Sequence, residues 1–268
     1  MTNSMIPIPE GYFKYPVRIE IDGKSAGSGF FIENNGRVFL VTARHVVADS
    51  AFNLNGKKVE VFAFSDSAGF NELMVLAFDL VNLLSHKLLL HHQSRDIAVI
   101  IVGKWNRSSA RVEFNSEIGL KNKTVGNLMV APLSMFRYYK ESVVSNDAYL
   151  FGYPTSIGIK KVTTNIDFKK PLLRKGVIAG KNEKLKNIVL DCSSFGGNSG
   201  GPVVEVEQLF GKNGNYEGMG AYIIGLVTEY VPYEQAFFGL KTKKKAMVVG
   251  NSGYSIVEPI DEVIKFLN

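Results

Sequence analysis

Two glycine-bearing turns near the N-terminus constrain the fold of this chain more than any other feature. Val17, Ile19 and Ile21 alternate with Pro16, Arg18 and Glu20, and the alternation stops at Asp22-Gly23. That is the pattern of a half-buried strand entering a two-residue hairpin turn. Gly29 to Glu33 and Arg37 to Thr42 are apolar runs joined through Asn34-Asn35-Gly36, a second strand-turn-strand signal. Such a chain folds as antiparallel sheet, and its third strand leads directly to His45.

The same signals recur downstream. Val59 to Phe64, Leu73 to Leu80 and Ile97 to Val102 read as strands, while Leu80 to Leu90 fits a strand or a short helix equally well. Lys104 to Lys123 is polar and is the expected connection between two halves. Beyond it Leu128 to Ala131, Asp147 to Gly152, Leu173 to Ile178, Ile188 to Asp191, Pro202 to Val206, Ala221 to Glu229 and Gly253 to Val257 are short and β-branched or aromatic. About six strands on each side predict an all-β fold of two antiparallel six-stranded β-barrels. The first would span 11–115 and carry His45 and Asp96; the second would span 124–268 and carry Ser199. After Pro259, Ile260, Val263, Ile264 and Phe266 or Leu267 fall on one face of a short C-terminal helix, expected to dock on the second half.

Composition excludes several roles. Of 268 residues 46% are hydrophobic, enough for a real core, and the single cysteine, Cys192, cannot form an intrachain disulfide. A reducing, cytoplasmic setting is expected, since Met1 to Tyr15 lacks a signal-peptide pattern. No apolar run reaches the ~18 residues of a membrane span, so no membrane partner is expected. The net charge of +6 owes much to lysine groups such as Lys241 to Lys245. Phe237 and Phe238 precede those lysines rather than alternating with them, which reads as a solvated loop and not a nucleic-acid surface. His91 and His92 sit in no metal-ligand spacing.

Three segments carry chemistry: V-T-A-R-H-V-V around His45, S-R-D-I-A-V-I around Asp96, and G-G-N-S-G-G-P around Ser199. A serine hydroxyl becomes a useful nucleophile when a base takes its proton and a carboxylate orients that base. The order His, Asp, Ser is that of the chymotrypsin arrangement, not of subtilisin or the α/β-hydrolases. Each residue alone has a plainer reading: a histidine satisfied at a strand end, or a serine capping a glycine-rich turn. For the carboxylate Asp49 and Asp79 compete, but Asp96 opens an apolar strand and can be buried beside an imidazole. His91 and His92 are expected to decorate the loop before it.

These segments, with A-Y-L-F-G-Y-P from Ala148 and P-L-L-R-K-G-V-I from Pro171, resemble the trypsin-like (chymotrypsin-fold) serine peptidases of the disulfide-poor bacterial kind. The resemblance spans most of the chain. It implies a serine endopeptidase that hydrolyses peptide bonds through an acyl-enzyme, with Ser199 as nucleophile, His45 as base and Asp96 orienting it. The amides of Gly197 and Ser199 would form the oxyanion hole. It implies no cofactor and no metal, and a protein or peptide as substrate. By the same resemblance the substrate pocket is framed by Ser193, Ser194 and Phe195 and by Thr228, Glu229 and Tyr230. Ser193 at its base would favour apolar or aromatic side chains, with Glu229 the competing influence.

One departure from better-known members stands out. Asn198 replaces an aspartate that in zymogen-activated relatives pairs with a newly released N-terminus, so no activating cleavage is expected and Asn198 should be held by other hydrogen bonds. Whether the oxyanion hole stands ready or is assembled by substrate or by an activating partner protein stays open at this level. The alternatives are a latent or noncatalytic module binding extended peptides along a barrel edge, and a basic nucleic-acid-associated protein.

Overall fold

A computed structural model of the chain describes residues 8–66, 73–122, 126–154, 167–210, 213–238, 243 and 245–267. Among these residues sixteen strands and three short α-helices follow in the order β1 (Pro16–Ile21), β2 (Lys24–Asn34), β3 (Arg37–Thr42), α1 (Arg44–Val47), β4 (Lys58–Phe64), β5 (Leu73–Asp79), α2 (Leu80–Ser85), β6 (Leu89–His91), β7 (Ala98–Asn106) and β8 (Arg111–Phe114). Then come β9 (Gly119–Leu120), β10 (Val130–Ala131), β11 (Asp147–Gly152), β12 (Leu172–Asn182), β13 (Asn187–Asp191), β14 (Pro202–Phe210), β15 (Tyr216–Phe238), β16 (Lys245–Pro259) and α3 (Ile260–Leu267). None of the described helices is long and apolar enough to cross a membrane.

Both early turns form as the sequence requires. Asp22 and Gly23 have φ of 49° and 74°, and Asn35 and Gly36 have 52° and 76°. Left-handed backbone at both central positions suits the right-handed twist of the flanking strands, and Asx-Gly is the residue pair that tolerates it best.

The all-β architecture stands, with corrections to the first sheet. The second sheet closes as a six-stranded barrel, β11-β12-β13-β16-β15-β14, whereas the first is an open ten-stranded sheet along the path β6-β7-β3-β2-β1-β4-β5-β9. Its extra strands come from the stretch expected to connect the halves: β8 pairs with β7, and β9 pairs with β5. Leu128 to Ala131, expected in the second barrel, also joins the first sheet, where β10 runs parallel to β2 and Leu128 bridges to Ser65. Strands of two to four residues leave too little alternation to be seen in a polar stretch. Leu80 to Leu90 resolves into α2, capped by the Asp79 carboxylate on the amides of Val81 and Asn82, followed by β6.

The period of two sorts side chains into three cores. Phe31, Val38 and Leu40 point into the first sheet, while Phe30, Ile32, Phe39 and Val41, their neighbours on β2 and β3, point the other way. That second face meets Tyr149, Phe151, Val204 and Ile223 of the barrel, forming the layer that joins the two sheets. Each such side chain contributes roughly 1.5–3 kcal/mol by burial. Ala148 and Leu150 of β11 turn inward with Ile188, Leu190 and Val257 to fill the barrel. Helix α3 buries Ile260 and Val263 and rests Ile264, Phe266 and Leu267 on the joining layer, so it touches both halves and not the second alone.

The last two strands run well past the barrel. β15 and β16 stay paired from Gly225↔Pro259 out to Phe238↔Lys245, so the strands expected to end at Glu229 and begin at Gly253 are far longer. Tyr233, Phe237, Phe238, Met247, Val248 and Val249 are all exposed on this arm. Of the lysine-rich run Lys241 to Lys245, positions 241, 242 and 244 lie outside the described residues.

Candidate active site

His45 lies in the single turn of α1, at the end of β3. Asn55 fixes that turn by donating from Nδ2 to the carbonyls of His45, at 2.7 Å, and Val46, at 3.2 Å. Asp96 precedes β7, the neighbour of β3, and its carboxylate takes two hydrogen bonds from one residue. The His45 amide donates to Oδ1 at 2.9 Å, and His45 Nδ1 meets Oδ2 at 2.6 Å. An ionised carboxylate only accepts, so Nδ1 carries the proton and Nε2 is left as the basic nitrogen. Burial pushes the Asp96 carboxyl upward, but the hydrogen bond and charge of the His45 ring and the His45 amide outweigh it and hold the group below its ordinary value.

The competing carboxylates have other work. Asp49 caps the amides of Ala51 and Asn53, and Asp79 caps α2. His91 ends β6 and stacks on Phe52 at 4.2 Å. His92 turns the following loop by accepting the amides of Ser94 and Arg95 on Nδ1.

Ser199 comes from the barrel half, in the turn leading to β14. Gly197 has φ of 98° and Gly200 has φ of 86°, backbone that L side chains rarely adopt. A Cβ on Gly200 would stand 2.2 Å from the Ser28 carbonyl oxygen and 2.4 Å from Thr42 Oγ1. Ser28, on β2, seats the turn against the first sheet. Its amide donates to the Ser199 carbonyl at 2.8 Å, its Oγ donates to the Gly197 carbonyl at 2.7 Å, and the Tyr153 amide donates to that Oγ at 3.0 Å. Thr42 Oγ1 closes the junction on the Ser28 carbonyl at 2.7 Å.

Among the described residues the Ser199 hydroxyl has one hydrogen bond, to the Thr228 carbonyl at 3.3 Å, and the amides of Gly197 and Ser199 donate to none. Asn198 is 1% exposed. Its amide donates to the Phe195 carbonyl at 2.9 Å and its carbonyl accepts from Gly201, but its side-chain Oδ1 has no partner. The hydrogen bonds that hold Asn198 are thus main-chain ones, made within the turn, while its side-chain oxygen is buried without a partner.

These groups share a cavity of about 470 Å³ in which His45, Asp96 and Ser199 face Ser194, Phe195 and Gly196. Thr228, Glu229, Tyr230 and Pro232 of β15 form the remaining wall. Ser193 does not line it. It is half-buried nearer β16, its Oγ 3.9 Å from where a Cβ on Gly253 would stand. Ser194 takes the lining position instead, its carbonyl held by Asn251 Nδ2 at 2.6 Å, and Arg174 lies over the Phe195 ring at 4.4 Å. Ser28, Asn55 and Pro232 carry no motif signal of their own; only the place of Ser28, a small residue between Gly27 and Gly29 before an apolar run, points to close packing there. No group of three His, Cys, Asp or Glu side chains among the described residues could hold a metal ion.

A chymotrypsin-like pair of β-sheets with histidine and aspartate on one, serine on the other, and a cleft along the seam defines a class of serine peptidases. The sequence agrees: residues 27–210 match the model of the trypsin-like peptidase domain, and the chain belongs to that family. No curated protein matches it. Among solved structures, the HtrA-type protease AlgW with a tripeptide is similar at 15% identity and a TM-score of 0.49, covering 94% of this chain and 58% of that one. The serine endoprotease from Yersinia pestis is similar at 15% identity and a TM-score of 0.44, covering 94% and 61%. The chain therefore spans less than two thirds of the length of either.

Proposed function

We propose that this chain is a serine endopeptidase. The observation that carries the reading is the 2.6 Å contact between His45 Nδ1 and Asp96 Oδ2 on one wall of a cavity whose other wall bears Ser199. Rotation about the Ser199 side chain moves its hydroxyl from the Thr228 carbonyl toward His45 Nε2, which takes the proton as Oγ attacks a peptide carbonyl. Asp96 holds the ring and stabilises the imidazolium. The amides of Gly197 and Ser199, with no other acceptor, receive the oxyanion. The imidazolium gives its proton to the leaving amine, and water then hydrolyses the acyl-enzyme by the same route. No cofactor takes part.

The pocket offers Phe195, Tyr230 and Pro232, so an apolar or aromatic side chain before the cleaved bond is the expected preference, with Glu229 able to attract a basic residue at the rim. Rotation of Ser199 falls to the bound peptide or to an activating partner protein at the cleft. The reading keeps the cytoplasmic setting suggested by the lone cysteine. Incubation with a mixed peptide library and mass spectrometry of the products tests it. Internal cuts after apolar residues, absent with Ser199→Ala, are expected; no cuts, or the same cuts with that variant, would overturn it.

A further inference from the structure

Arg95, immediately before Asp96, reaches away from the cleft into the other half of the molecule. Its Nη1 donates to Glu258 Oε2 at 2.7 Å, its Nε pairs with Glu262 Oε2 at 3.1 Å, and its Nη2 donates to the Leu185 carbonyl at 3.0 Å. These acceptors lie at the end of β16, in α3, and in the turn between β12 and β13. The three side chains are sequestered, at 17%, 12% and 14% exposure for Arg95, Glu258 and Glu262. The loop behind it is tied as well. The His92 amide donates to the Ile97 carbonyl at 2.9 Å, Arg44 Nη1 to the His92 carbonyl at 3.4 Å, and the His92 ring rests on Phe266 of α3 at 5.3 Å.

We infer that Arg95 is a positioning residue for the reaction proposed above: it locks the Asp96 loop to the C-terminal helix and barrel so that the carboxylate meets the amide and ring Nδ1 of His45. The inference rests on that reading of the site. The physical case is one of geometry over stability. Partly buried ion pairs return little net stability, because desolvation offsets attraction. Burial here pushes the Glu258 carboxyl up, and the Arg95 hydrogen bond only partly counters it. What a guanidinium supplies is a planar fork that can hold three acceptors at fixed angles, which an ammonium cannot copy. Asp96 needs that precision, because it must satisfy an amide and a ring nitrogen of one residue at once, and a misplacement of about 1 Å near a reacting centre costs on the order of 100-fold in rate.

The test measures second-order labelling rates with a fluorophosphonate for wild type, Arg95→Met, Arg95→Lys, Asp96→Asn and Arg95→Met/Asp96→Asn, each confirmed folded by circular dichroism. Arg95→Met should slow labelling about tenfold or more, and Arg95→Lys should recover part of the loss. In the Asp96→Asn background the same Arg95 change should cost less than roughly twofold, since a residue acting through Asp96 has nothing left to act on. If Arg95→Met alone fails to fold, Arg95→Met/Glu258→Gln removes the more buried of the two stranded carboxylates, Glu262 keeping Lys265 as its partner, and should still label slowly. An Arg95→Met protein that labels at the wild-type rate, or that loses the same factor with and without Asp96, overturns the inference while the triad stands. A wild type that does not label overturns the triad itself, and the inference with it.

Discussion

The two walls of the cleft are built to different degrees of completion. On the first sheet, His45 and Asp96 are joined through two hydrogen bonds, and the Asn55 side chain braces the helical turn beneath them. On the barrel, Ser199 faces a carbonyl at 3.3 Å, the Gly197 and Ser199 amides are unengaged among the described residues, and Asn198 Oδ1 is buried without a partner. Groups left unsatisfied in a native fold call for an explanation, and free donors are suited to charge that appears only during reaction. On the proposed reading, the first wall holds its base in place beforehand, and the second keeps its hydrogen bonds free for an incoming peptide.

That contrast can be broken from the first wall most severely. Asp96→Asn should leave the fold intact but lower the catalytic rate by about 10⁴-fold, because an amide cannot hold His45 in the same tautomer; steady-state kinetics on a cleaved peptide would show it as a loss in kcat. Gly200→Ala attacks the seam. A Cβ there meets the Ser28 carbonyl at 2.2 Å on backbone with φ of 86°, so thermal unfolding should reveal a loss of about 3 kcal/mol. Ser28→Ala removes the hydroxyl shared by the Gly197 carbonyl and the Tyr153 amide. It should cost about 1–3 kcal/mol in a denaturant titration and slow labelling of Ser199, while leaving the His45 to Asp96 contact unaltered.

The smallest effect concerns the loop behind Asp96. Burial, then the charge of Arg95, hold the His92 imidazole below its ordinary value, with Glu262 opposing and Arg44 assisting. A folded-state pKa below the unfolded one means stability is complete above about pH 6.5 and is lost as pH falls toward the folded value. Melting temperatures measured between pH 7.5 and 5.5 should therefore fall less for His92→Gln than for wild type.

Much of this was legible in the sequence for local reasons. Asp22-Gly23 and Asn35-Gly36 announce hairpins because few other residue pairs adopt their backbone angles, and His45, Asp96 and Ser199 stand in segments whose small or apolar flanks restrict how they can pack. The helix after Pro259 follows from spacing alone. What escaped depends on partners distant along the chain. Ser28 meets Gly197 169 residues away and Arg95 meets Glu258 163 residues away, pairings that no window of sequence displays. The open first sheet, the strands hidden between Lys104 and Ala131, and the extension of β15 beyond Pro232 are likewise set by edge pairing rather than by local pattern. Ser193 was placed at the pocket base by resemblance, but Ser194 lines the cavity.

The most direct trial of the account is reaction of the purified protein with a fluorophosphonate, followed by mass spectrometry to locate the adduct, for wild type, Ser199→Ala and His45→Ala. A hydroxyl made nucleophilic by a base across the seam predicts one adduct, on Ser199, absent from both variants. An adduct on another residue, undiminished labelling in His45→Ala, or an unreactive wild type would contradict it.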